Sequence, residues 1–386
     1  MKLRVCDSDG RIKGYITLGK KIGEGGEGRI YEIIEDKNSL AKIYHEKRRK
    51  GMREKIVAML KNRPEDPMYP RHISFAWPEN MILNERGDFL GFTMPYMRNY
   101  FHVHQIYSTD DRIKMIKRFG ASINWLFLFT LALNFASVVS SIHKKGHVIG
   151  DINESNVLIF PNAFVTLIDC DSFFIVSGSR IYKSDVGIPE YTAPEILKEK
   201  DFSKRTEKSD RFAISILIFR LLMLGFHPFH GRWKGRGDGP KREENIIKGR
   251  TPYFRPSREI EIPPYAPHLN ILPDDVKSLF KRAFVNGHKD PDKRPTALEW
   301  FKCLKSCRKD LENECINPNH FYFPRINNKC PWCEYAKKIG RDPFPPPPPK
   351  SLDKIKGLQN KIRQIKDLLE GMEQEKLKLN IILKNF

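Results

Sequence analysis

No long hydrophobic run occurs in this sequence. The longest apolar stretch, "WLFLFTLALNFASVV" at residues 125–139, is interrupted by Asn134. It is shorter than the roughly 20 apolar residues a spanning helix needs, so it reads as a buried helix. The opening "MKLRVCDSDGRIKG" has no apolar core of the signal-peptide kind. Cysteine is scarce and unevenly placed: five of seven lie between Cys303 and Cys333, unlike a secreted disulfide framework. These absences predict a reducing, cytoplasmic setting and no membrane span. Acidic residues are also short, 47 against 68 lysines and arginines, which leaves a net charge of +21. That excess suits an anionic partner (nucleotide, nucleic acid, acidic protein or membrane surface) without choosing among them.

What is present suits a globular protein: 40% hydrophobic and 30% charged residues over 386 positions. Residues 15–45 alternate apolar and polar around a glycine cluster, which predicts strands joined by a hairpin. "REKIVAMLKNRPEDP" (residues 53–67) predicts a short amphipathic helix closed by proline, and "FLGFTMPYM" (residues 89–97) a buried strand. From about residue 120 the pattern is helical, with a glycine stop at Gly146. A small β element follows at residues 148–175, then the helical runs "RFAISILIFRLLML" and "DDVKSLFKRAF". A strand-rich part at residues 1–98 thus precedes a helix-rich part at 99–308.

Gly23, Gly25 and Gly28 in "IGEGGEGRIYEI" stand in G-x-G-x-x-G spacing, where backbone N–H groups can approach phosphate oxygens with no Cβ in the way. The same string opens a dinucleotide-binding fold, but there it leads from a strand into a helix. Here an alternating strand follows, so the loop joins two strands and forms a lid over phosphates. Fourteen residues after Gly28, Lys42 interrupts the apolar "LAKIY". A buried lysine is costly unless paired; the bland alternative is a lysine snorkelling at a strand edge. Its carboxylate partner is expected on the helix at 53–61, with Glu54 chosen and Glu46 and Glu65 left open.

"VIGDINESNVLI" (residues 148–159) sets Asp151, Asn153 and Asn156 between apolar flanks, either a bland surface loop or a catalytic one. "LIDCD" (167–171), "GIPEYTAPE" (187–195), "SDRFAIS" (209–215) and "DPDKRPTALEW" (290–300) follow in order. With these motifs the chain resembles the eukaryotic-type protein kinase superfamily from about residue 15 to 305. The resemblance implies an α+β bilobal fold, a small β-rich lobe and a larger helical one, using ATP and magnesium on a protein substrate. It implies that Asp151 accepts or orients the substrate hydroxyl proton, while Asn156 and Asp169 hold magnesium. Lys42 would hold the α- and β-phosphates. The nucleotide would be lined by Ile22, Gly23, Gly25, Gly28, Ile30, Ala41, Lys42, Met94, Tyr96 and Met97, with Met94, Pro95, Tyr96 and Met97 as the adenine-facing hinge. Glu195 and Arg294 would form a buried ion pair, and Asp210 would tie the catalytic loop to the central helix.

The departures from that family carry their own expectations. Gly150 stands where an arginine usually precedes the catalytic aspartate, so no nearby cation is expected to receive an activation-segment phosphate. Asp171 replaces the glycine after Asp169-Cys170 and puts a second carboxylate beside the metals. Asn153, grouped with the catalytic residues, replaces a lysine on the γ-phosphate, and Ile188 replaces the threonine paired with it. Both losses weaken the serine/threonine signature, although "GIPEYTAPE" still favours that class. Ile149 and Cys170 are apolar, so the internal stack at their positions can persist by packing.

Residues 309–340 hold Cys315-x4-His320-x9-Cys330-x2-Cys333, four ligands with no open position, which predicts a structural zinc in a small ribbon-like element. The alternatives are unligated core cysteines or a redox pair; Cys303 and Cys307 read as core or substitute ligands. The "H-x-x-G-D-I-N" string from His147 and the "CPWC" tail resemble a bacterial branch of the superfamily carrying such an element. A proline-rich spacer at 341–350 precedes an amphipathic helix or coiled coil at 351–386, with Ile355, Leu358, Ile362, Ile365, Leu369, Met372, Leu379 and Leu383 in one heptad frame that Lys376 breaks. That helix either self-associates or packs on its own domain. Three readings follow: an active protein kinase, a nucleotide-binding pseudokinase scaffold, and a nucleic-acid-associated protein using the zinc element and basic surface, the last possible but not favoured.

Overall fold

The computed structural model describes residues 2–346 and position 364. Apart from that one position, the heptad segment lies outside the described residues, as does the end of the proline spacer.

The first lobe is a closed antiparallel barrel of β1 (Lys2–Cys6), β2 (Ile12–Glu24), β3 (Gly28–Ile33), β4 (Ser39–Tyr44), β5 (Asn80–Leu83) and β6 (Phe89–Pro95), in the order β1-β2-β3-β4-β6-β5. Closure comes from β1, whose Arg4, Val5 and Cys6 pair with Leu83, Ile82 and Met81. Strand alternation sends one face of each strand inward. Leu3, Val5, Ile16, Ile33, Ala41 and Ile82 fill the barrel. The opposite face of β4, carrying Leu40, Lys42 and Tyr44, looks toward the second lobe. Between β4 and β5 runs α1 (Met52–Lys61), which packs Ile56 and Met59 against that face.

The second lobe starts with β7 (Phe101–His102), α2 (Thr109–Phe119) and α3 (Trp125–Lys144). Asn124 caps α3 by accepting from Phe127 N–H at 3.0 Å, and Gly146 leaves the helix at φ +83°. At twenty residues and mean hydropathy 1.8, α3 is long and apolar enough to cross a membrane. Twelve of its side chains are instead buried, because it is the lobe's core helix. The expected helix is therefore longer than the apolar run that announced it.

Two short strands, β8 (Val157–Ile159) and β9 (Val165–Leu167), follow: β8 pairs with β7 on one side and β9 on the other, and the loop with Asp151 and the segment with Asp169 lie at their ends. After them come the hairpin β10 (Ile175–Ser177) and β11 (Arg180–Tyr182), α4 (Pro194–Glu199) and the buried α5 (Glu207–Leu222). The basic stretch at 231–250 holds β12 (Arg232–Trp233) and α6 (Arg242–Lys248), and β12 pairs with β13 (Ile260–Glu261). Much of its charge is matched internally: Arg232 and Lys234 meet Glu261, Arg242 meets Glu190, and Arg250 meets Glu259. The chain continues through α7 (Asp274–Lys281), a wider π turn at Arg282–Asn286, α8 (Gly287–Lys289) and α9 (Ala297–Cys307).

The cysteine-rich element and α10 (Pro331–Ile339) are part of this lobe's core. Trp332 is fully buried, with its ring 5.1 Å from Trp125 and 4.9 Å from Phe344. Phe323 meets both Trp125 and Phe129 at 5.7 Å. The start of the expected spacer is docked as well. Arg341 pairs with Asp110, and Arg112 donates to the Pro343 carbonyl at 2.8 Å beneath the Phe344 ring. Residues 341–344 therefore belong to the folded body, because Phe344 completes the aromatic cluster.

Candidate active site

Between the lobes lies a cleft of about 280 Å³. Ile22, Gly23, Ile30, Lys42, Met94, Tyr96 and Met97 line it, together with Leu40, Ala76, Leu158 and Ile168. Ala41 does not line it. Alternation along β4 turns Ala41 into the barrel, fully buried, and gives Leu40 the cleft position expected of its neighbour. The hinge stays attached to the small lobe through Tyr96 N–H, which donates to the Asn38 carbonyl at 2.7 Å.

The loop glycines divide by surroundings. A Cβ on Gly25 or Gly26 would meet nothing within 4 Å, so this side of the loop is open. A Cβ on Gly28 would fall 2.4 Å from the Ile43 carbonyl oxygen. Gly28 is thus required by the close approach of β3 to β4, and neither it nor Gly25 lines the cleft.

Lys42 does not pair with Glu54. Its ammonium donates to Asp171 at 2.7 and 2.8 Å and to Asp169 at 2.9 Å, with Glu27 of the glycine loop at 3.5 Å. Glu54 lies exposed on the outer side of α1, and the next residue, Lys55, takes the buried side. One residue is about 100° of helical turn, which is enough to exchange the two faces. Tyr44 donates its hydroxyl to Asp171 at 2.5 Å. Burial opposes charge on Lys42, but Asp171 and Asp169 outweigh it and hold its pKa above the ordinary lysine value. Burial likewise opposes charge on Asp171, yet Lys42, Tyr44 and Lys55 hold its carboxyl below the usual range. Lys55 is pulled down to about 8 by burial, against the attraction of Asp171 and Glu27.

Asp169 has left-handed backbone, φ +58° and ψ +37°. A non-glycine residue held there costs about 1 kcal/mol or more, and here the strain aims the carboxylate into the cleft. Asn156 donates to the Asp151 carbonyl at 3.0 Å and to its carboxylate at 3.2 Å. Among the described residues its amide oxygen has no partner. That oxygen and the Asp169 carboxylate are the donor set a hard cation takes, so these residues fit magnesium. Asn153 does not reach toward the phosphates. It is buried and folds the loop, accepting from Ser155 N–H at 2.8 Å and donating to the Asp151 carbonyl at 3.2 Å. An amide that caps a turn so closely has no reach left for a ligand.

Asp210 anchors the loop, accepting from Ile149 N–H at 2.7 Å, Gly150 N–H at 2.8 Å and His143 at 3.0 Å. His147 has a role that its sequence position did not disclose. It meets the Asn62 carbonyl after α1 at 2.8 Å, accepts from Val176 N–H at 3.2 Å and stacks on Trp77. Ile149 and Cys170 are both buried in the main core. Another cation stands beside the position of the missing arginine, already engaged with the backbone of the activation segment. Arg205 lies beside Gly150, where the absence of a side chain leaves room, and donates to the Val186 carbonyl. A Cβ on Gly187 would collide with its guanidinium. Glu195 and Arg294 form a bidentate pair at 2.7 and 2.7 Å.

The sequence pattern does not reveal the second cluster's support, but the geometry does. Cys315, His320, Cys330 and Cys333 bring four ligand atoms within 4.8 Å of one another. The three sulfurs lie 3.3–3.5 Å from His320 Nδ1. With Zn–S of about 2.3 Å and Zn–N of about 2.0–2.1 Å a tetrahedral S···N edge is about 3.5–3.6 Å, so this set lies within a few tenths of an ångström of a zinc shell. His320 Nε2 meets Asp342 Oδ1 at 2.8 Å, the outer carboxylate that orients a metal-binding imidazole. Cys303 and Cys307 take no part: Cys307 is buried in the core and Cys303 packs against it.

A bilobal body with a glycine loop, a cleft lysine, and an aspartate–asparagine–aspartate set below it is the arrangement of the protein kinase class. The chain belongs to that family: the model described as "Protein kinase domain" matches residues 96–304, more than half its length. Among curated proteins it is similar to Protein kinase YegI of Escherichia coli K12, 33% identical over 336 residues, covering 86% of this chain and 50% of that protein. Protein kinase YegI of Escherichia coli O157:H7 is 32% identical over 323 residues, 82% of this chain and 48% of the relative. Serine/threonine-protein kinase PknD of Chlamydia muridarum is 22% identical over 254 residues, 57% of this chain and 25% of the relative. The chain spans about half the length of the YegI proteins it matches.

Proposed function

We propose that the protein is an ATP- and magnesium-dependent kinase that phosphorylates serine or threonine hydroxyls of a protein substrate in the cytoplasm. The observation that carries this reading is the meeting of Lys42 and Asp169, 127 residues apart, above a loop where Asn156 is bonded to Asp151. Magnesium, when bound, supplies charge neutralisation on the phosphates. Asn156 and Asp169 are the residues that hold it, Lys42 steadies the α- and β-phosphates, and Asp151 accepts or orients the hydroxyl proton. The four-ligand cluster holds a structural zinc, and its three thiolates suit a reducing compartment. A scaffold without catalysis is the weaker reading, because the loss of lysine at Asn153 leaves Asp151, Asn156, Asp169 and Lys42 in place. Nucleic-acid binding draws little from the basic stretch at 231–250, whose charges are largely paired.

The test is transfer of labelled γ-phosphate to peptide pools that differ only in acceptor residue. Phosphoserine and phosphothreonine are the expected products. Transfer confined to tyrosine would overturn the specificity, and nucleotide binding without transfer would favour the scaffold.

A further inference from the structure

We infer that Asp171 is the positioning counter-ion of Lys42, in place of a carboxylate on α1, and that Lys55 on α1 is the charge exchanged for it. This inference rests on the kinase reading. Three observations carry it. Lys42 spends two of its three shortest contacts on Asp171, at 2.7 and 2.8 Å, and none on α1. Asp171 is 2% exposed and takes a further hydrogen bond from Tyr44, so its carboxylate is fixed on both sides. The buried face of α1 against this site presents a cation, Lys55, only 4% exposed. A buried ammonium there without facing carboxylates would be strongly unfavourable.

The arrangement has a mechanical consequence. A lysine held from α1 can be released by moving that helix. Here Lys42 is held by the turn Cys170–Ser172, two residues from the metal-binding Asp169, so the small-lobe lysine is clamped to the large lobe directly. Lys55, which forms no ion pair within 4 Å among the described residues, then supplies a second positive charge in the field of Asp171, Glu27 and Asp169. Positioning of Lys42 is thereby tied to the metal segment, and α1 contributes by charge balance.

The experiment uses the full chain with Asp171→Gly, Lys55→Glu, the double variant and Lys42→Met, each first checked by thermal unfolding. MgATP affinity is read by calorimetry and kcat and KM for ATP by phosphate transfer. Asp171→Gly should weaken MgATP binding and raise KM at least tenfold, close to Lys42→Met. Lys55→Glu alone should also impair it, by crowding a fourth carboxylate into the site. The double variant should recover at least tenfold over Asp171→Gly, because the carboxylate returns from the helix. Folded Asp171→Gly within twofold of wild type, or a folded double variant no better than Asp171→Gly, would overturn the inference. Wild type that binds MgATP without transfer would refute the kinase reading alone, and the calorimetric comparison would still decide this one. Absence of MgATP binding would refute both.

Discussion

Removal of either partner of the Glu195–Arg294 pair should destabilise the large lobe, and by unequal amounts. Arg294 is 0% exposed and engages all three guanidinium nitrogens: two bonds to Glu195, one to the Gly287 carbonyl at 2.7 Å and one to the Lys208 carbonyl at 2.9 Å. Breaking a buried ion pair costs about 3–5 kcal/mol, mostly from the charge left behind. Glu195 is 33% exposed, so solvent already screens part of the interaction. In Glu195→Gln the arginine keeps both carbonyls and an amide oxygen, and the expected cost is about 2 kcal/mol. In Arg294→Met the carboxylate can rehydrate through its exposed edge, but two inward carbonyls lose their donor at about 1–3 kcal/mol each. The expected cost there is about 4 kcal/mol. With roughly 2–4 °C per kcal/mol for a body of this size, thermal unfolding should fall by about 4–8 °C and about 8–16 °C. The double variant should cost less than the sum, since the two sites share the interaction. Circular dichroism melts read all three. A reversed order, or both single variants within about 2 °C of wild type, would refute the reasoning.

Chelation of the Cys315–His320–Cys330–Cys333 cluster should loosen the lobe as a whole, because Trp332 beside it packs on Trp125 of α3. At free zinc a thousandfold above its Kd the linkage is worth about 4 kcal/mol. Stripped protein or Cys330→Ser should therefore melt well below the loaded form; equal melting temperatures would refute a structural zinc. Gly28→Ala should destabilise the barrel by about 1–3 kcal/mol through overpacking against Ile43. Gly25→Ala, facing open space, should cost less than about 0.5 kcal/mol, and equal losses in chemical denaturation would contradict the division. His227 is held neutral by burial, with nearby Arg242, Arg220 and His230 lowering its pKa further. It meets the Glu190 carbonyl at 3.0 Å and accepts from Phe229 N–H at 3.2 Å. Below pH 6.5 the unfolded chain gains a proton that the folded chain refuses, so stability falls with pH by up to about 1.4 kcal/mol per unit. His227→Gln should flatten that part of the denaturation-versus-pH curve, and an unchanged slope would contradict it.

The motifs legible in the sequence were those whose residues act within one short segment. Asp151 with Asn156, and Asp169 on its turn, need only local backbone to be recognised. Lys42 was legible as a buried lysine, but its partner was not, since Glu54 and Lys55 are adjacent and helical phase alone decides which faces inward. The same ambiguity, in strand form, exchanged Ala41 and Leu40. The closing strand β1 is five residues long, and its pairing with β5 is made about 75 positions away, which no local pattern announces. Arg205 and Asp342 escaped for a like reason: each serves a loop distant in sequence, as a lone polar residue without periodicity. Fold class and the candidate site motifs thus follow from local chemistry, and the counter-ions from tertiary contact.

The most direct test of the central claim is single-turnover transfer of labelled γ-phosphate by the full chain, comparing wild type with Asp151→Asn and Asp169→Asn, with MgATP affinity measured alongside. Wild type should transfer phosphate, Asp151→Asn should lose at least a hundredfold with nucleotide affinity retained, and Asp169→Asn should lose transfer with weaker dependence on magnesium. Transfer unchanged in either variant, or absent from wild type that binds MgATP, would contradict the claim.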